Sequence, residues 1–93
     1  MVNKNILKIR KQLDKLDDDL LGLIKKRIKF VSLILKNKKF KNEIVDNKRI
    51  SVILRNIKKK SRKKKIDVIV TEKIWKSMIR SFIDYEYRNF DKR

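Results

Sequence analysis

The chain has no cysteine, no histidine and no proline, and its one glycine is Gly22. Without cysteine there is no disulfide and no thiol nucleophile, and without cysteine or histidine the ordinary ligand sets for zinc and haem are missing. A Ser-His-Asp triad cannot be assembled either. The residues that most often interrupt helices are nearly gone, so almost unbroken helix is expected. Long apolar runs are missing too: no segment is long and apolar enough to cross a membrane. Residues 1–15 carry charge throughout, with no apolar stretch of signal-peptide length. The expectation is a cytoplasmic protein with no membrane partner. At 93 residues there is room for one domain, 1–93, with one modest core.

Acidic residues are scarce as well, 11 Asp and Glu against 29 Lys and Arg, for a net charge of +18. Such a balance attracts anions in general, nucleic acid among them. The lysines, however, are spread along the chain and mixed with isoleucine and asparagine, a mixture that A/T-biased coding also produces. Most of the excess therefore reads as solvated surface. The densest run, KKKSRKKK from Lys58 to Lys65, has no aromatic or glycine residues within it. It reads as an exposed, frayed helix end and loop rather than a nucleic-acid site.

What the chain does have is a regular apolar stripe. Ile6, Ile9, Leu13, Leu16, Leu20 and Leu23 keep heptad spacing, Arg27 takes the next place, and Phe30 and Ile34 resume the pattern. The periodicity predicts one long helix from about Asn5 to Lys39, roughly 50 Å in length. A compact globule of this chain length is only about 30 Å across, so the helix should project and its stripe should need a second chain. A symmetric dimer built on paired long helices is expected. Within the stripe, the Arg27 guanidinium calls for an anion, from the protein or from a ligand. Lys38 falls near the same face about 16 Å further on, so the two cations can converge on one small acidic ligand.

Asn42 to Asn47 breaks the pattern, with Asn42, Asp46 and Asn47 supplying turn and capping chemistry. A second helix is predicted from about Asp46 to Lys60, with Ile50, Ile53, Leu54 and Ile57 on its apolar side. Lys48 and Arg49 in its first turn oppose the helix dipole, which a bound anion would explain. Thr71 is the expected N-cap of a third helix reaching about Asn89. Its inner face is Trp75, Met78, Ile79, Phe82 and Ile83, and Glu86 continues that face. Glu86 either emerges into water or pairs with an arginine, or it is enclosed beside a ligand, where desolvation favours a protonated carboxyl able to donate.

This arrangement resembles the all-helical chorismate mutase family over essentially the whole chain. The resemblance is carried by IRKQLDKLDDDLLGLIKKR from Ile9 to Arg27, by Lys38, by VDNKR from Val45 to Arg49, and by the end of the third helix. The ordered set Arg10, Asp14, Asp17, Leu20, Leu21, Arg27 and Lys38 matches the spacing of the family's first helix. The resemblance implies an all-α fold of three helices per chain, one long, one short and one medium, forming an intertwined homodimer. Each site would be enclosed by three helices of one chain and completed by Arg10 of the other. Arg10 and Arg27 are 17 positions apart, which turns Arg10 about 100° off the Arg27 face and agrees with service to the neighbour's site.

The reaction implied is the rearrangement of chorismate to prephenate, which uses no cofactor and no metal. By the same resemblance Arg10 and Arg27 hold the carboxylates of a dianionic substrate and Arg49 adds positive field. Lys38 and Glu86 donate to the ether oxygen, and Asp46 orients the ring hydroxyl through its turn. Three positions depart from the family pattern. Glu86 stands where glutamine is frequent, and Ile50 where a glutamate often receives the hydroxyl. Phe82 replaces a small polar residue. Ile50, Phe82 and the short Lys38 to Arg49 spacing are similar to the isochorismate pyruvate-lyase branch of the same fold, which releases pyruvate and leaves salicylate. A non-catalytic basic helical dimer that binds nucleic acid or another partner is the third reading.

Overall fold

Helix α1 begins where Asn3 turns its side-chain oxygen onto the N–H of Asn5, at 2.7 Å. In this computed structural model, which describes residues 3–93, α1 spans Lys4–Lys36, α2 Asn47–Lys63 and α3 Val68–Asn89. Short 3-10 turns occupy Lys41–Glu43 and Phe90–Lys92, and no strand occurs among the described residues. The all-helical expectation holds.

The 33 residues of α1 are uninterrupted, about 50 Å of helix. The helix stops a turn short of the expected Lys39. Asn37 donates its side-chain amide to the Leu33 carbonyl at 2.9 Å. The N–H groups of Asn37 and Lys38 then reach back three residues, to Ile34 and Leu35. Such tightened bonds close a helix end without glycine. Lys38 thus lies beyond α1 instead of on its face, which corrects the stripe-based placement.

The chain divides into two compact units, one ending at Phe30 and the other beginning at Val31. In the first, no described residue is buried. The heptad residues Ile6, Ile9, Leu13, Leu16, Leu20 and Leu23 are between 45% and 56% exposed.

The second unit has its own core. Leu35 at the end of α1, Ile44 in the connecting loop and Phe90 after α3 are buried together, with Ile83 packed against them. Nearby, the hydroxyls of Ser32 and Tyr85 meet at 2.8 Å. Asp46 caps α2 as expected, accepting from the N–H of Arg49 at 3.0 Å. The half-buried side of α2, Ile50, Ile53, Leu54 and Ile57, continues into Ser61, which is buried. Ser61 lies inside the lysine run, so that run is helical through Lys63 and anchored at its centre, not a frayed loop.

The Ser61 hydroxyl donates to the Ile57 carbonyl at 2.6 Å and meets the Thr71 hydroxyl at 2.8 Å. Thr71 is therefore a buried contact between α2 and α3, not the N-cap predicted for it. That role belongs to Asp67, whose carboxylate accepts from Ile69 and Val70. Between the helices, Ile66 N–H bonds to the Ser61 carbonyl and Lys65 N–H to that of Arg62. This is a Schellman closure, with Lys65 at φ 58° where glycine is usual.

Candidate active site

The inner face of α3 is the one the periodicity predicted: Trp75, Met78, Ile79, Phe82 and Ile83 are half-buried, and the face ends in Glu86, which is 6% exposed. A carboxylate enclosed without a partner would be strongly destabilising. Glu86 has one in Lys38, whose Nζ lies 2.8 Å from Oε1. The same ammonium donates to the Ile44 carbonyl at 3.5 Å. Only 17% of the Lys38 side chain and 8% of that of Glu86 reach solvent. Glu86 is therefore enclosed rather than emerging into water, and its partner is a lysine instead of the arginine expected of a paired carboxylate. Loss of α1's last expected turn is what permits this: Lys38, freed from the helix, folds back toward the end of α3.

An open cleft leads from Lys38 along the loop to the start of α2, lined also by Asn42, Glu43, Val45, Asp46, Asn47 and Lys48. Glu43 fixes the near wall. Its Oε2 accepts from the N–H groups of Lys39, at 2.6 Å, and Phe40, at 2.8 Å. The Phe40 N–H, with smaller help from that of Lys39 and from the Lys38 and Lys39 charges, holds the Glu43 carboxyl below the usual carboxylate range despite some desolvation. At the far wall Oδ1 of the Asp46 carboxylate caps α2, and the Asp46 carbonyl accepts the first bond of the helix from Ile50. The first turn of α2 contains Lys48 and Arg49 and no acidic residue. Cations at the positive end of a helix dipole disfavour the helix and favour an anion in front of it.

Of the other predicted site residues, Arg49 is exposed, Ile50 half-buried in the first turn of α2, and Phe82 half-buried one turn before Glu86. Arg10 and Arg27 are exposed on α1, in the unit that ends at Phe30. The structure brings Lys38 and Glu86 into contact and sets Lys38 and Asp46 on one cleft. Sequence reasoning missed the Ile44 carbonyl and Glu43. Glu43 had a local signal, since a glutamate three residues after the start of a turn can reach back to its free N–H groups. Ile44 had none, because any residue has a carbonyl.

Among the described residues no cluster of His, Cys, Asp and Glu could hold a metal ion, and no helix is long and apolar enough to cross a membrane. The arrangement offers an enclosed ammonium–carboxyl pair beside an open cleft lined by Lys38 and Lys48 as well as by Glu43 and Asp46, with the positive end of α2 at its far side. No match was found among curated proteins or solved structures. The sequence profile of the family described as chorismate mutase type II matches residues 9–87. The chain belongs to that family.

Proposed function

We propose that the protein is a cofactor-independent chorismate mutase acting as an intertwined homodimer, and the enclosed Lys38–Glu86 pair beside the cleft is the observation that carries this reading. Conversion of chorismate to prephenate breaks an ether C–O bond as a C–C bond forms within the same molecule, so nothing is added and nothing leaves. The work is to hold a folded dianion and to meet the negative charge that grows on the ether oxygen. Lys38 serves as the charged donor to that oxygen. Glu86 is the second donor and must then hold a proton. Arg27 and Arg10 of the partner subunit bind the two carboxylates, and Arg49 adds positive field. Backbone groups of the Asp46 turn orient the ring hydroxyl.

The dimer part of the reading is supported by the half-exposed heptad residues of α1, whose burial against a second copy would remove a continuous apolar face from water. A second reading, isochorismate pyruvate-lyase, is favoured by the half-buried apolar pair Ile50 and Phe82. The two separate in one assay: purified protein is offered chorismate and isochorismate in turn, and prephenate is resolved from salicylate plus pyruvate. Prephenate is expected, and Lys38→Ala should slow its formation by about a hundredfold or more. Glu86→Gln, which keeps a neutral donor at that place, should stay active. No turnover of either compound, together with salt-sensitive binding to nucleic acid, would favour the non-catalytic basic dimer instead.

A further inference from the structure

Lys38 is held at both ends. Its ammonium sits on Glu86 and the Ile44 carbonyl. Its backbone lies past the end of α1, where its N–H still bonds to the Leu35 carbonyl at 3.1 Å while its carbonyl has no helical partner ahead of it. That carbonyl is met from 55 residues further along the chain, where Arg93 Nη2 donates to it at 2.7 Å. The other arm of the same guanidinium, Nη1, donates to the Phe90 carbonyl at 2.6 Å, and its Cζ lies over the Phe90 ring, 3.7 Å from the ring centre. Phe90 is itself a core residue, packed with Leu35 and Ile44. The fork thus connects the Lys38 backbone to the ring that buries Ile44, the residue whose carbonyl receives the Lys38 ammonium.

Geometry of this kind suits arginine and not lysine. A planar group with several fixed donors can bridge two carbonyls while stacking on an aromatic face, whereas an ammonium is a single point donor. An adjacent contact provides a contrast. Asp91 pairs with Lys41 at 3.3 Å, but both side chains are largely exposed, and such pairs contribute little.

We infer that Arg93 is a positioning residue for Lys38, fixing its backbone so that the ammonium stays over the cleft at the place where charge develops. The inference rests on the mutase reading of Lys38. A donor to a transition state loses much of its effect when displaced by a fraction of its own length, up to a hundredfold in rate for about 1 Å. Arg93→Ala should therefore lower kcat/KM about tenfold, with the loss in kcat rather than KM, because positioning acts on the transition state more than on substrate binding.

The test compares Arg93→Ala, Arg93→Lys and Asp91→Ala in the full chain, by chorismate kinetics and by the rate at which an amine-reactive ester labels Lys38 relative to the other lysines, read by peptide mass spectrometry. Arg93→Ala should show the kcat loss and faster labelling of Lys38. Arg93→Lys should recover part of both, and Asp91→Ala should stay near the parent in both. The inference is overturned if Arg93→Ala matches the parent in rate and labelling, or if Asp91→Ala reproduces its losses, which would mean general loosening of the segment. Should the parent turn over no chorismate, the mutase reading fails by itself, and the labelling comparison still decides whether Arg93 holds Lys38. Should Arg93→Ala not fold, the same two readings on Arg93→Lys decide the question.

Discussion

The residues up to Phe30 and those from Val31 onward use one pattern, apolar side chains at helical spacing, with opposite outcomes. In the second unit the pattern meets its complement within the chain: Leu35, Ile44 and Phe90 are buried together, and the half-buried faces of α2 and α3 close over the Ser61–Thr71 pair. In the first unit the same kind of stripe stays about half exposed along its length. A periodic face states that burial is needed and does not state what covers it. One pattern is thus satisfied in the second unit and left half exposed in the first.

The hardest blow to that contrast is Leu13→Lys combined with Leu20→Lys. If a second copy covers the stripe, each leucine lost from a buried site removes about 1.5–3 kcal/mol per chain, and the two lysines add a desolvation cost. The variant should sediment as a monomer with reduced helical circular dichroism. Sedimentation and melting like the parent would show that the stripe faces solvent in the working protein.

A second experiment asks whether the first unit carries part of a shared site. Arg10→Ala and Arg27→Ala should each slow turnover by about a hundredfold when alone. Mixed and refolded together, they form some heterodimers in which one site keeps both arginines, so activity should return. Failure to regain activity would remove the cross-subunit role of Arg10.

In the packed unit the expected effects are smaller. Leu35→Ala leaves a cavity beside Ile44 and Phe90 and should cost about 2–5 kcal/mol in urea unfolding. Smallest are two backbone changes of opposite kind. Lys65→Gly relieves a left-handed conformation at the α2 closure and should stabilise by about 1 kcal/mol. Gly22→Ala should stabilise by a similar amount of about 0.5–1 kcal/mol, because nothing lies within 4 Å of the added methyl group. A loss at Gly22 would sharpen the comparison, since it would locate a close approach by a second helix in the otherwise uncovered unit.

The legible parts of the molecule are those governed by local rules. The inner face of α3 follows from 3.6-residue spacing, and Asp46 caps α2 because a carboxylate there reaches the third N–H of the helix. Local rules also explain the misplacements. Thr71 and Asp67 are both capping residues ahead of one apolar series, and nothing nearby in the sequence reveals that Thr71 is claimed by Ser61. Periodicity carries α1 on to about Lys39, whereas the helix closes on Asn37, without the glycine or proline that usually marks a stop. Glu86 could be placed on the inner face, but its pairing with Lys38 spans 48 residues, and the Arg93 contact 55. No spacing rule reports such contacts.

The buried serine in the lysine run has one more consequence. Seven of the eight residues from Lys58 to Lys65 are cleavage points for trypsin, a density that would make an extended segment vanish within the first moments of digestion. Proteases need an unwound chain, and at the helical sites Lys58, Lys59, Lys60, Arg62 and Lys63 unwinding has to break the Ser61–Thr71 contact. When opening is fast relative to cutting, the digestion rate reports the fraction of molecules in which that contact is open. The segment that looks most vulnerable on paper thereby becomes a built-in clock for the breathing of α2 against α3.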